Sequence, residues 1–240
     1  MNLIIDHGNT RCKLGIFDNQ NMILSKTTLS MDEQIIRELC NTYNLECVII
    51  SSVSESEHEL SKIVANYIPN ILIFSHTTPI PIQNNYQTPQ TLGKDRLALA
   101  VACSELFPNE NALAIDAGTA LTFDFLLNGS IYEGGSISPG LLMRFKALHH
   151  FTKRLPDIQP NNSYQLIGYD TQSSILSGVQ NGMVNEINGS IINYVSLYSP
   201  LKIIITGGDA EFFAGKLKNP IFVDLNLVLK GLNRILLYNA

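Results

Sequence analysis

Several familiar signatures are missing from this sequence, and each absence removes a class of function. There is no Cys-x-x-Cys pair: Cys12, Cys40, Cys47 and Cys103 stand apart, and no histidine cluster accompanies them. That argues against a zinc site and, at this length, against a disulfide framework. Basic residues never run longer than two, and 16 Lys and Arg are outnumbered by 21 Asp and Glu. Nucleic acid is therefore not an expected partner, because binding a phosphate backbone needs clustered positive charge. No apolar stretch reaches the roughly 18 residues of a membrane span. The first residues, MNLIID, lack the basic and apolar regions of a secretory signal. The expectation is a cytoplasmic protein with neither nucleic acid nor membrane as partner. Charged residues make up only 15% of the chain, but 45% is hydrophobic, enough to fill a core across 240 residues read as one large domain or two small ones.

What is present alternates between strand and helix signals. Leu3 to Asp6, Cys12 to Phe17 and Met22 to Thr28 read as strands. Ser30 followed by Glu33 reads as a capping box opening a helix. A strand (46–51), a helix (57–67) and a strand (71–74) follow, giving a βββαβαβ order that implies a mixed sheet with helices packed on it. The stretch TTPIPIQNNYQTPQ (77–90) is long for a structureless connection and reads as a functional loop. Leu92 to Leu106 reads as a helix. A polar loop runs from Pro156 to Asp170. The next helix, Thr171 to Tyr198, carries Ile175, Val179, Met183, Ile187, Ile191 and Val195 every fourth residue. Gly178 and Gly182 weaken that helix by about 1 kcal/mol each, a cost that close approach of another backbone would justify. A strand (202–205), a Gly-Gly turn into a helix, and a last helix (225–238) close the chain.

One theme occurs twice. IIDHGNTRCKLGIF (4–17) and LAIDAGTALTFDF (113–125) each place Asp-x-Gly and a hydroxyl residue between two apolar strands. The hairpins turn at Asn19 and at Asn128-Gly129, which lie 13 and 12 residues beyond Asp6 and Asp116. The two aspartates are 110 residues apart, close to half the chain. This reads as an internal duplication, with subdomains 1–115 and 116–240 each opening on the same hairpin.

The chemistry follows from the residue types. In Asp6-x-Gly8-Asn9-Thr10 with Lys13, glycine lets backbone approach a ligand closely, and N–H groups, Asn9 and Thr10 can donate to phosphate oxygens. Lys13 adds a point charge, and Asp6 can hold Mg²⁺ directly or through water. A plain hairpin is the alternative, but the second copy at Asp116-Ala117-Gly118-Thr119 favours phosphate. Thr206-Gly207-Gly208-Asp209-Ala210 suits a nucleotide on a helix N-terminus, although a tight turn with Asp209 as N-cap is the plainer reading. In Leu92-Gly93-Lys94-Asp95-Arg96, Asp95 could be a general base and Arg96 a carboxylate or phosphate fork. The plainer reading there is a helix-dipole aspartate beside a solvated arginine. Among His7, His58, His76, His149 and His150 no Ser-His-Asp or Cys-His arrangement stands out, and the strand parity of His7 would point it away from a ligand.

Taken together, Asp-x-Gly-Asn-Thr-x-x-Lys (6–13), Tyr-x-x-Pro-x-x-Leu-Gly-x-Asp-Arg (86–96), Asp-x-Gly-Thr (116–119), Gly-Gly-x-Ile-x-Pro-Gly (134–140) and Thr-Gly-Gly-Asp-Ala (206–210) resemble type III pantothenate kinases. The resemblance implies an α/β fold of two duplicated ribonuclease H-like subdomains with mixed sheets, as in actin-like ATPases. It implies ATP-dependent phosphorylation of pantothenate to 4′-phosphopantothenate, the first step towards coenzyme A. By the same resemblance, Asp6, His7, Gly8, Asn9, Thr10, Arg11, Cys12 and Lys13 form the ATP segment, and Thr119 is a second ATP contact. Asp95 is the catalytic base. Tyr86, Gly93, Lys94, Asp95, Arg96 and Thr171 meet pantothenate, Asp116 holds K⁺ or NH₄⁺, and Mg²⁺ sits near Asp6 through water. A homodimer is implied, with the Gly178/Gly182 helix as an interface candidate. The rivals are a related kinase for another small acceptor and a non-catalytic regulatory or accessory protein of the same fold.

Overall fold

A computed structural model of the chain describes residues 1–8, 11–52 and 57–240. The strands are β1 (Asn2–His7), β2 (Cys12–Asp18), β3 (Asn21–Thr28), β4 (Cys47–Ser52), β5 (Asn70–Ile73), β6 (Gln83–Asn84), β7 (Asn111–Ala117), β8 (Ala120–Leu127), β9 (Ile131–Pro139), β10 (Leu201–Thr206) and β11 (Phe222–Val223). The helices are α1 (Glu33–Thr42), α2 (Glu57–Ala65), α3 (Lys94–Leu106), α4 (Leu141–Phe151), α5 (Thr171–Tyr198), α6 (Ala210–Ala214) and α7 (Leu227–Tyr238).

The chain forms two compact units. One comprises residues 1–108, 129–133 and 226–240, and the other 109–128 and 134–225. This differs from a simple division at 115/116: that cut would pass through β7, and the last helix returns to the first unit.

In the first unit five strands run in the order β3-β2-β1-β4-β5. β1 pairs antiparallel with β2 and parallel with β4. Leu3, Ile5, Leu14, Ile16, Val48 and Ile50 turn one sheet face onto α1 and α2, and burying each such side chain contributes roughly 1.5–3 kcal/mol. α7 packs on β1, β2 and β4, and also on α3. The α3–α7 approach is at backbone distance, since a Cβ on Gly231 would overlap the Ala98 carbonyl.

The second unit repeats the plan. Its strands run β9-β8-β7-β10-β11, with β7 antiparallel to β8 and parallel to β10. Substituting β7 for β1, β8 for β2, β9 for β3, β10 for β4 and β11 for β5 reproduces the order of the first sheet, so the duplication is real. Leu113, Ile115, Leu121, Phe123 and Ile203 face α4, α5 and α6. Asn19, Asn128 and Gly129 all have positive φ (52°, 51° and 65°), as the hairpin turns require.

Several local expectations are corrected. Asp32, not Ser30, caps α1, accepting from the Ile35 N–H at 2.9 Å, because the helix starts at Glu33. The loop after β5 is held by β6, whose Gln83 and Asn84 pair with Ile131 and Tyr132, and by a 3₁₀ turn over Pro89–Thr91. That turn delays α3 to Lys94, with Gly93 as N-cap. The Gly-Gly-x-Ile-x-Pro-Gly segment lies largely in β9. Apart from α5 itself, no described residue comes within 4 Å of a Cβ on Gly178 or Gly182, so the expected close approach of another backbone is not made among the described residues.

Gly231→Ala should force α7 off α3 and lower the urea midpoint by the equivalent of about 1–3 kcal/mol. Gly189→Ala, in open space on α5, should leave the midpoint unchanged or raise it. Equal midpoints for wild type and Gly231→Ala would overturn the packing account.

Candidate functional site

Each unit places an aspartate at the carboxyl end of its central strand, the end at which open α/β sheets bind ligands. In the first unit Asp6 sits opposite Lys13 on β2 and beside Ser51 on β4. The side chains of Asp6 and Lys13 therefore share a sheet face. His7 and Cys12 are likewise opposite each other, on the other face. Cys12 is wholly buried in the core under α1 and α2, so it can offer a ligand only backbone. Its thiol is pushed up to about 11, by burial first and then by the Asp6 charge. The parity reading of His7, away from the Asp6 face, thus matches the register. Gly8 closes the hairpin by donating its N–H to the Arg11 carbonyl at 3.1 Å, and Arg11 is exposed. Asn9 and Thr10, both expected in the ATP segment, lie outside the described residues.

Asp95 stands in the first turn of α3 in the same unit, close enough for its charge to act on Asp6. Burial, then Asp95, raises the Asp6 carboxyl from 3.8 to about 7, against the lowering effect of Lys13. Asp95 Oδ1 accepts the Arg96 N–H at 2.8 Å, and a Cβ on Gly93 would lie 2.5 Å from that oxygen. Gly93 is therefore what lets the carboxylate fold back over the helix start. Arg96 is 4% exposed, which rules out the solvated-charge reading. Its guanidinium carbon lies 5.9 Å from the centre of the Tyr86 ring, and Tyr86 stacks on Tyr132 at 6.2 Å. Lys94 is the first residue of α3 and half-buried. The first unit thus gathers Asp6, Lys13, Gly93, Asp95, Arg96 and Tyr86.

In the second unit Asp116 faces Thr122 on β8 and Thr206 on β10. Glycines crowd it. Gly118 donates to the Ala120 carbonyl at 3.1 Å, and a Cβ there would lie 3.0 Å from Asp116 Oδ1. Gly207, at φ +97°, leaves no room for a Cβ against Asp116 Oδ1 and the Ala117 backbone. Gly140 leaves none against the carbonyls of Gly118 and Thr119. Three glycine motifs thus converge on one backbone cradle whose exposed member is Thr119. Asp209 occupies the N-cap position of α6 but makes no side-chain capping bond. Its N–H bonds the Ala117 carbonyl at 2.9 Å, and burial raises its carboxyl. Beside it opens a cavity of about 560 Å³, lined by Gly208, Asp209, Phe212, Lys216, Asn161 and Asn162 among others. Asn161 and Lys216 could not be found from sequence, since they lie outside every motif and meet only through folding. Thr171 is the exposed first residue of α5, on an apolar groove of about 960 Å³ with Leu148, Phe151 and Ile175.

Among the described residues no group of three or more His, Cys, Asp or Glu could hold a metal ion. A cation at Asp6 or Asp116 would take its other ligands from backbone or hydroxyl oxygens, water and phosphate. Asp6 suits one, being destabilised by burial and a like charge, and at Asp116 the glycines at 118 and 207 set backbone rather than side chains against Oδ1. None of the four cysteines is in a disulfide, and no described helix is long and apolar enough to cross a membrane.

Comparison with known proteins gives the family. A family model described as type III pantothenate kinase matches residues 2–193. A type III pantothenate kinase of Phocaeicola vulgatus is 44% identical over 239 residues, spanning 100% of this chain and 99% of the relative. One from Cytophaga hutchinsonii is 41% identical over 240 residues and 100% of both chains. Among solved structures, the inorganic polyphosphate/ATP-glucomannokinase of an Arthrobacter species has a TM-score of 0.54 at 14% identity, covering 99% of this chain and 98% of that one. A Campylobacter jejuni protein assigned to the Baf family of transcriptional activators has a TM-score of 0.65 at 24% identity, covering 99% and 98%. These two likenesses show the fold alone.

The raised Asp6 carboxyl also bears on stability. Its pKa is above the unfolded value, so its contribution is fully present near pH 4 and is lost as pH rises through about 7. In protein stripped of metal and nucleotide, Asp6→Asn should raise Tm most at pH 8 and by clearly less at pH 5, where only part of the contribution has been lost. Equal shifts at both pH values would contradict the burial account.

Proposed function

The chain belongs to the type III pantothenate kinase family and phosphorylates pantothenate with ATP, the first step of coenzyme A biosynthesis; on that premise we propose how its residues divide the work. The observation that carries the proposal is the close pair of carboxylates, Asp6 and Asp95, with Lys13 opposite Asp6.

In the first unit Asp6, Gly8 and Lys13 hold the phosphates of ATP, with Asn9 and Thr10 in the same segment. Lys13 supplies positive charge on the Asp6 face, and the Gly8 turn brings backbone N–H groups near the phosphate oxygens. Asp95 takes the proton of the pantothenate hydroxyl. Its Oδ1 is engaged by the Arg96 N–H, which fixes the carboxylate and turns Oδ2 to that task. The buried Arg96 fork, backed by Tyr86, grips the pantothenate carboxylate, and Gly93 and Lys94 shape the approach. In the second unit the Gly118–Thr119 turn contacts ATP phosphate, and the cavity beside Gly208 and Asp209 takes the nucleoside. Mg²⁺ at Asp6 and K⁺ or NH₄⁺ at Asp116 supply, when bound, charge neutralisation for the transferring group. Positioning and charge are most of what phosphoryl transfer asks of a protein. Thr171 meets pantothenate from the apolar groove, the Gly178/Gly182 face of α5 serves a homodimer, and the protein works in the cytoplasm.

Asp95→Asn should keep the fold and lower kcat by ~10²–10⁴ in pantothenate-dependent ADP release; a near-normal rate removes Asp95 from the chemistry. Replacing K⁺ by Na⁺ should slow the wild type, and Asp116→Asn should abolish that salt difference. A full K⁺ response in Asp116→Asn places the cation elsewhere.

A further inference from the structure

Gln180 stands in the middle of α5, wholly buried, on the helix's largely apolar inner face, where Ser177 and Asn188 are the other buried polar residues. A buried amide is costly unless each of its groups is bonded. Here both are, and to a single residue. Its Oε1 accepts the Asn161 N–H at 2.9 Å, and its Nε2 donates to the Asn161 carbonyl at 2.8 Å. This two-point clamp fastens the 156–170 segment, which has no helix or strand of its own. Asn161 and Asn162 are at the same time a wall of the 560 Å³ cavity, facing Gly208, Asp209, Phe212 and Lys216.

The other walls are fixed separately. Lys216 donates Nζ to the Phe212 carbonyl at 2.7 Å and lies 3.8 Å from the centre of its ring. Tyr164, three residues beyond Asn161, stacks on Phe212 at 6.2 Å. Further along, Ser177 holds the Leu166 carbonyl, and Asp170 and Ser173 form a reciprocal cap that fixes the end of the segment to α5. Of these bonds, those of Gln180 alone engage both backbone groups of a residue that lines the cavity.

We propose that Gln180 is a positioning residue for the nucleotide: by clamping both backbone groups of Asn161 it sets the wall of the nucleoside cavity and so the affinity for ATP. This rests on reading that cavity as the nucleoside subsite. Gln180 itself touches neither ATP nor pantothenate, so its effect belongs in KM for ATP and not in kcat or in KM for pantothenate.

Three variants separate the possibilities. Gly208→Leu tests the cavity: Gly208 is exposed, and a Cβ there meets nothing within 4 Å, so a larger side chain fills the cavity without straining the fold. It should raise KM for ATP by roughly ten-fold or more, and an unchanged KM would remove the nucleoside reading itself. Gln180→Met keeps the volume and loses both hydrogen bonds. It should raise KM for ATP about five-fold, with kcat at saturating ATP and KM for pantothenate unchanged. Gln180→Leu also removes both hydrogen bonds with a differently shaped apolar side chain and should raise KM for ATP to a similar extent, which keeps the test decisive if the Met variant folds poorly. If Gly208→Leu raises KM for ATP but neither Gln180 variant does, the clamp is structural only. A joint rise of both KM values with a loss of Tm would likewise make it structural only.

Discussion

The site depends on backbone lying directly on backbone at the end of β7. Gly140 comes down on the carbonyls of Gly118 and Thr119, while Gly207 lies against Asp116 and Ala117. Neither position has room for a methyl group, and Gly207 also needs its positive φ. With side chains excluded, the cradle is built of peptide groups alone, held by the Gly118 N–H on the Ala120 carbonyl and the Asp209 N–H on the Ala117 carbonyl. The glycines in three separated motifs are thus one requirement met from three directions. β8 and β10 must flank β7 in register for the three to meet, so the sheet serves the cradle.

The first unit solves a different problem. It places two carboxylates, Asp6 and Asp95, within range of each other's charge and buries one of them. Left alone the arrangement is unfavourable, as the raised Asp6 carboxyl shows. Lys13 offsets only part of it. A protein gains nothing in stability from such a pair at neutral pH, which agrees with the proposed role of the two carboxylates. Arg96 is buried in the same unit, with the Tyr86 ring beside its guanidinium.

Most of the architecture was legible in the sequence because its signals are local. Alternating apolar strands, Asn19 and Asn128-Gly129 at the turns, and the four-residue stripe of α5 each encode their own element. What escaped had non-local causes. α1 starts at Glu33 rather than after Ser30, since two near candidates competed and Asp32 made the capping bond. The Pro-rich loop is stapled by pairing of Gln83 with Ile131, 48 residues away, which no window in the sequence could reveal. Arg96 looked like a surface charge because its partner ring, Tyr86, precedes it by a turn and a loop. Gln180 looked like an ordinary polar residue in a helix, since the Asn161 it clamps belongs to no motif. The motif residues themselves were visible, but the register that puts His7 and Cys12 on the face away from Asp6 needed the strand pairing.

Duplication explains why two such different devices share one plan. Corresponding positions in the two sheets carry the same backbone path but need not carry the same charge. Asp6 meets Lys13 across its hairpin, and Asp116 meets Thr122 at the matching position. A lysine at the first position supplies positive charge from the hairpin itself. A hydroxyl at the second supplies none from that position. The monovalent cation proposed at Asp116 would then be the counterpart of Lys13: one copy of the hairpin has its positive charge built in by sequence, and the other would draw it from solution.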